Sequence, residues 1–233
     1  MPDGRHIIFA SSRTGAFDLY ARSSDGTGTD VRLTSSTNSE YAASVTADGL
    51  FIIGYEVRPR TAFDVVRFAL NGNLQAGAAI TRSQQLIETP ADDRNAELSP
   101  NGRYLVYQSN ESGQFEIYLR PYPEVGSGRW QVSTNFGTGP TWARSGKELF
   151  YMDRANHLMT VPVDTQGATF TAGAPAAVLQ TPYATPFAWR MYDVTADASR
   201  FLMIKDQLSQ AATPTIVVAQ NWIEELKRIL PRK

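Results

Sequence analysis

PNGRYLVYQSNESGQFEIY, Pro100 to Tyr118, holds one complete structural phrase. Asn101-Gly102 supplies the positive φ of a tight turn, a conformation that residues with a Cβ adopt only at a cost. Leu105-Val106-Tyr107 is apolar on both faces, as a strand is when its sheet is covered on both sides. Asn110-Glu111-Ser112-Gly113 makes a second polar turn, and Phe115-Glu116-Ile117-Tyr118 then alternates like a second strand. GRHIIFASSRTGAFDLY, Gly4 to Tyr20, repeats Gly102 to Tyr118 over 17 residues without a gap. The turn returns as Ala47-Asp48-Gly49, as Arg144-Ser145-Gly146-Lys147 and, worn down, as Asp197-Ala198. Self-similarity of this kind marks a repeat architecture.

Gly4, Gly49, Gly102, Gly146 and Ala198 follow one another at 45, 53, 44 and 52 residues. Those spacings match four-stranded propeller blades, which run about 40 to 50 residues. Val31-Arg32-Leu33-Thr34 and Arg129-Trp130-Gln131-Val132-Ser133 read as the polar fourth strand that closes a unit. The expected fold is all-β: a β-propeller of four-stranded antiparallel blades, over about 1–40, 41–92, 93–136, 137–186 and 187–220. The first unit lacks an inner strand before its turn. The last has an inner strand at Tyr192-Asp193-Val194, a second from Arg200 to Lys205 and a third from Thr215 to Gln220, but no fourth. These ends predict an arc of five blades, part of a ring of six or more whose missing strands precede this sequence. Residues 221–231 read as one helix packed on the last blade. Asn221 is its N-cap and Glu224 completes a capping box; Trp222, Ile223, Leu226 and Ile229 share a face, and Pro231 ends it.

Composition removes several function classes. A net charge of −1 with 19 % charged residues offers no basic face for nucleic acid. Without cysteine there is no disulfide scaffold, no thiolate nucleophile and no Cys-ligated metal. Apolar runs such as Ile216-Val217-Val218-Ala219 fall far short of the roughly 18 residues of a membrane span. The sequence opens directly on a turn, without the basic and apolar regions of a signal peptide, which predicts either a cytosolic protein or a piece of a longer one.

Residues suited to catalysis are scarce. His6 and His157 each occupy a strand column filled elsewhere by other residue types, so neither a triad nor a zinc site is expected. There is no Gly-x-Ser-x-Gly elbow. Gly139 to Lys147 lacks phosphate-loop spacing, and Glu148 stands where that loop needs Ser or Thr. Asp25 to Asp30 lacks the ligand spacing of a calcium loop and reads as a hairpin tip. Asn110-Glu111-Ser112 matches a glycosylation sequon but falls in a repeat turn. Asp18, Asp64 and Glu116 share one column, which predicts a structural hydrogen bond to a neighbouring strand or blade. No cofactor and no metal is expected.

A propeller binds where its inner strands begin and its short loops converge. Aligning those strands places Tyr41, Arg94, Thr138 and Arg190 in one column, with Glu97, Thr141 and Asp193 three residues on. Two arginines and an aromatic ring there suit an acidic or carboxylate-bearing ligand. Salt bridges across the channel wall, such as Arg94 with Glu97, are the competing reading. Trp142 and Trp189 are expected to add aromatic surface at the same rim.

The recurring turn, strand and Phe-acid-aliphatic pattern resembles TolB-like and WD-repeat-like propellers over nearly the whole chain. The segment from Ile216 to Arg228 resembles the C-terminus of large bacterial proteins in which a propeller follows a Ser/Thr kinase domain and a transmembrane helix. That resemblance implies an extracytoplasmic or periplasmic sensor region, although no kinase motif occurs here. The leading expectation is a non-catalytic module, not itself an enzyme, that binds a protein or peptide partner or a small ligand at the channel mouth. The alternative is the accessory propeller of a larger enzyme, a Ser/Thr kinase or a prolyl-oligopeptidase-like peptidase. A lactonase with a channel-bound metal is the third class, for which the inner column offers only Glu97 and Asp193.

Overall fold

The computed structural model describes residues 1–71, 74, 80, 82–167, 169–181 and 189–204. Within them the chain folds as a succession of antiparallel sheets. The first comprises β1 (His6–Ser11), β2 (Asp18–Ser23) and β3 (Val31–Arg32). The second comprises β4 (Glu40–Val45), β5 (Phe51–Arg58), β6 (Ala62–Ala69) and β7 (Ser83–Ile87). The third runs through β8 (Asp93–Leu98), β9 (Tyr104–Ser109), β10 (Glu116–Pro121) and β11 (Trp130–Gln131). The fourth holds β12 (Thr138–Trp142), β13 (Glu148–Met152) and β14 (His157–Asp164), and β14 then pairs with both β15 (Thr171–Ala172) and β16 (Ala176–Gln180). That unit therefore has one strand more than the repeat predicts. The fifth shows β17 (Tyr192–Val194) and β18 (Phe201–Met203). The expected third strand of this sheet and the helix over 221–231 lie outside the described residues.

The turn grammar has a direct structural cause. Gly4, Gly49, Gly102 and Gly146 all take φ between 65° and 72°, and Ala198 takes 57° at the same place. In each turn this residue donates its N–H to the carbonyl three residues back, as Gly49 does to Thr46 at 2.8 Å and Ala198 to Thr195 at 2.9 Å. Ala198 thus carries the left-handed backbone that glycine adopts freely.

The strands after the second, third and fourth turns, β5, β9 and β13, are apolar on both faces because each serves two cores at once. Ile52 packs with Leu19, Leu33 and Phe68, while its neighbour Ile53 packs with Ile87, Leu105 and Tyr107. Val106 turns the other way, to Ile117, Trp142 and Leu149. Phe150 joins Ala143, Leu158 and Tyr192. Successive side chains of a strand point to opposite faces, so β5, β9 and β13 each tie their sheet to both neighbours. Each such fully buried side chain contributes about 1.5–3 kcal/mol.

Two of the three acids in the shared column do the structural work expected of it. Asp18 accepts from Thr14 Oγ1 at 2.9 Å, Arg32 Nη2 at 2.6 Å and the Ser36 N–H at 3.2 Å. Glu116 accepts from the N–H groups of Asn135 and Phe136 at 3.1 and 2.9 Å, and from the Ser133 hydroxyl. Both acids fasten the third strand to the loop that leads into the next sheet. Asp64 bonds locally, accepting from Thr61 Oγ1 at 2.5 Å.

Candidate binding site at the channel mouth

The inner strands β4, β8 and β12 each slip register at the same point of the repeat, between Ala42 and Ser44, Arg94 and Glu97, and Thr138 and Thr141. Such bulges bend a strand and re-aim its side chains. Asn95 and Gly139 hold the bulge conformation at φ 54° and 60°. Gln108, fully buried on β9, accepts from Asn95 Nδ2 at 2.7 Å and from the Gly139 N–H at 2.8 Å, tying the third and fourth sheets at this level.

Glu97 is the hub. Its Oε2 accepts from Thr141 Oγ1 at 2.9 Å and pairs with Arg190 Nη1, and its carbonyl accepts from Trp142 Nε1 at 3.3 Å. Burial pushes the Glu97 carboxyl above the usual carboxylate range, against the opposing pull of the Arg190 guanidinium and the Thr141 hydroxyl. Arg190 Nη1 also reaches the Pro140 carbonyl at 3.4 Å, and Tyr192 OH donates to the Gly139 carbonyl at 2.7 Å. Asp193 is exposed and accepts from the Val194 N–H at 2.9 Å.

Beside this hub lies an aromatic group centred on Tyr41. Its ring stacks on Tyr55 at 5.0 Å and meets Phe17 at 5.1 Å and Trp189 at 5.5 Å. Arg94 lies 4.0 Å over the Phe63 ring and is paired with Asp92. A cavity of about 160 Å³ opens between the two groups, lined by Ala42, Ala43, Tyr55, Asn95, Trp189 and Arg190.

Of the aligned residues, Arg190 lines this space, while Tyr41 packs on its aromatic walls Tyr55 and Trp189, and Glu97 is paired to Arg190. Arg94 and Glu97 do not pair, as one reading expected: the bulge at Asn95 and Ala96 separates them, and each takes another partner. Trp142 gives no aromatic surface. It is 3 % exposed and packs in the core between the third and fourth sheets, with only its indole N–H directed to Glu97. Tyr55, Phe63, Asp92 and Asn95 were not singled out by sequence. Tyr55 and Phe63 belong to the repeat columns of a second and third strand, and only the fold brings those columns beside the inner strand.

No protein-family model matches the chain, and no curated protein matches it. Solved structures do. A protein assigned as TolB from Agrobacterium tumefaciens superposes with a TM-score of 0.56 at 18 % identity, over 76 % of this chain and 63 % of that one. A protein assigned as 6-phosphogluconolactonase from Bacteroides uniformis gives 0.55 at 16 % identity, over 87 % and 61 %. The fold is a TolB-like β-propeller. A periplasmic gluconolactonase from Pseudomonas aeruginosa gives 0.51 at 18 % identity, over 86 % and 60 %. The chain thus spans less than two thirds of these propellers, and at such identities the likeness concerns fold alone.

These comparisons correct one expectation. The chain was expected not to be an enzyme, because its repeat columns absorb nearly every candidate catalytic residue. Proteins described as 6-phosphogluconolactonase and gluconolactonase carry the same blades. The fold is therefore compatible with catalysis, and the exclusion does not stand. Among the described residues no three His, Cys, Asp or Glu side chains cluster as metal ligands, and no helix is long and apolar enough to cross a membrane.

Proposed function

We propose that the channel mouth recognises a carboxylate-bearing segment of a partner protein. The observation that carries this reading is the pairing of an aromatic-walled cavity with an arginine, Arg190, whose counter-ion is a carboxyl raised by burial. Burial makes the ionised form of Glu97 costly, so a ligand carboxylate competes well for the guanidinium while Glu97 takes up a proton. Trp189, 43 % exposed beside Tyr41, supplies a wall for the segment's apolar part. The fold resemblance to TolB-like propellers agrees with a recognition role. The narrower idea of a kinase-linked extracytoplasmic sensor rests on the resemblance of Ile216 to Arg228, which lie outside the described residues.

Calorimetric titration with hexaglutamate and hexaglutamine tests the proposal. The acidic peptide is expected to bind, and Arg190→Ala or Trp189→Ala to weaken it at least fivefold. Equal binding of the two peptides, or indifference to both substitutions, sinks it. A second reading also starts from Glu97: a carboxyl with a raised pKa beside a cavity is suited to general acid–base work. Hydrolysis of gluconolactone above the buffer rate, lost in Glu97→Gln, would establish that reading instead.

A further inference from the structure

We propose that the groove between the second and third blades, on the side of the glycine turns, binds a small organic carboxylate with a flat apolar body. The groove shares no residue with the aromatic cavity. Tyr41 lies near the start of β4 and Ala47 beyond its end, so the two sites stand roughly 20 Å apart along that strand. Neither reading depends on the other.

The blades on either side each hold four strands, β4 to β7 and β8 to β11. Arg67 on β6 stands opposite Ile53 on β5 and Gln84 on β7. Cross-strand partners share a face, and Ile53 packs toward the third blade, so Arg67 is aimed there too. Its Nε donates to Gln84 Oε1 at 2.7 Å, and its Nη1 crosses to Tyr122 OH of the third blade at 2.8 Å. The guanidinium lies 4.8 Å over the Phe51 ring. Arg13, Arg94 and Arg129 also lie over rings, but each is paired with an acid, Asp30, Asp92 and Glu111. Among the described residues Arg67 has only neutral partners.

That arrangement leaves donors to spare. A guanidinium carries five N–H groups, and the two hydrogen bonds of Arg67 use only two of them. Tyr122 accepts from Arg67, so its own hydroxyl proton is left to donate. A planar cation with free N–H groups meets a carboxylate in two parallel bonds, which a neutral amide cannot match. The groove holds about 390 Å³, enough for a small ligand. Phe51, Leu98, Pro100 and Tyr122 give it apolar walls beside the cation, which suit a flat apolar body. Asp48, exposed at the same groove, repels a second negative charge and so disfavours a phosphate dianion.

The test is calorimetric titration of the full chain with naphthoate, with its neutral amide naphthamide, and with inorganic phosphate as competitor. Naphthoate is expected to bind one-to-one, and naphthamide to bind about tenfold more weakly. Phosphate at equal concentration is expected to leave naphthoate in place. Arg67→Gln is expected to weaken naphthoate about tenfold, and Arg190→Ala to leave it within about twofold, which tells this groove from the channel mouth. Ala47→Phe, at an exposed turn position, is expected to block the groove with the urea midpoint unchanged, so lost binding is told from lost folding. Absence of saturable binding, equal binding of naphthamide, or equal displacement by phosphate overturns the proposal. So does a loss that follows Arg190→Ala and spares Arg67→Gln and Ala47→Phe.

Discussion

Glu40 opens β4 at 5 % exposure, with Glu56 and Asp18 nearby. Glu56 is held by Asn38, Ser83 and Arg58, and Asp18 by Arg32 and Thr14, but Glu40 Oε2 has no hydrogen-bond partner. Burial, and then repulsion from Glu56 and Asp18, push its carboxyl up to about 7, with the Thr34 hydroxyl pulling the other way. The folded protein therefore holds this proton more tightly than the unfolded chain. Stability falls as pH rises from the unfolded carboxyl's range near 4.5 through about 7, by about 3 kcal/mol in all. Glu40→Gln is expected to flatten that slope and to raise the midpoint of urea unfolding at pH 8; an unchanged slope would show that Glu40 is not its source. Gly54 predicts the opposite kind of change. A Cβ there would lie 2.1 Å from the Tyr41 carbonyl oxygen, where backbone leaves nothing to yield, so Gly54→Ala should cost about 2–3 kcal/mol in urea unfolding. The sequence gives no sign of Gly54, because it stands in no turn and acts only through the bulge opposite.

At the scale of elements, the fastening of each third strand was legible and its details were not. A shared acid at Asp18, Asp64 and Glu116 announced a structural bond, and two of the three reach the loop beyond the fourth strand. Their helpers, Thr34 and Ser133, stand in corresponding places and accept the Leu19 and Ile117 N–H groups at 2.9 and 2.8 Å. Hydroxyls of this kind occur all along the chain, so the pair does not stand out until the strands are laid together. Glu116→Ala leaves the Phe136 and Asn135 N–H groups and the Ser133 hydroxyl without their acceptor, at an expected cost of about 2–4 kcal/mol. Hydrogen exchange should report the loss first at Asn135 and Phe136. The inner-strand bulges were the hidden element. Aligned columns put Arg94 three residues from Glu97, but a one-residue slip decides which faces the channel, and slips leave no mark on composition or period.

For the whole molecule, repetition made the architecture readable, since five copies of one turn tolerate much local noise. What repetition cannot convey is what breaks it. Trp189 to Tyr192 touches the second blade at Tyr41, the third at Glu97 and the fourth at Gly139, and so crosses the mouth like a spoke. Arg190→Ala would leave Glu97 half-sheltered and unpaired, a cost of about 2 kcal/mol, between that of a surface pair and a buried one. Faster proteolysis near β17, with β9 and β13 still protected, is the expected signature.

The spoke also bears on the order of events in folding. Each hairpin closes over a few residues, whereas Tyr41 and Trp189 are brought together across most of the chain. Contacts of such sequence separation repay their closure entropy only after the intervening blades exist. The proposed recognition surface is thus a late product of the folding reaction, absent from any species in which a blade is still unformed. A Trp189→Phe variant should lose the slowest fluorescence phase of refolding and keep the earlier ones. A mouth assembled last would keep a half-made molecule from engaging a partner.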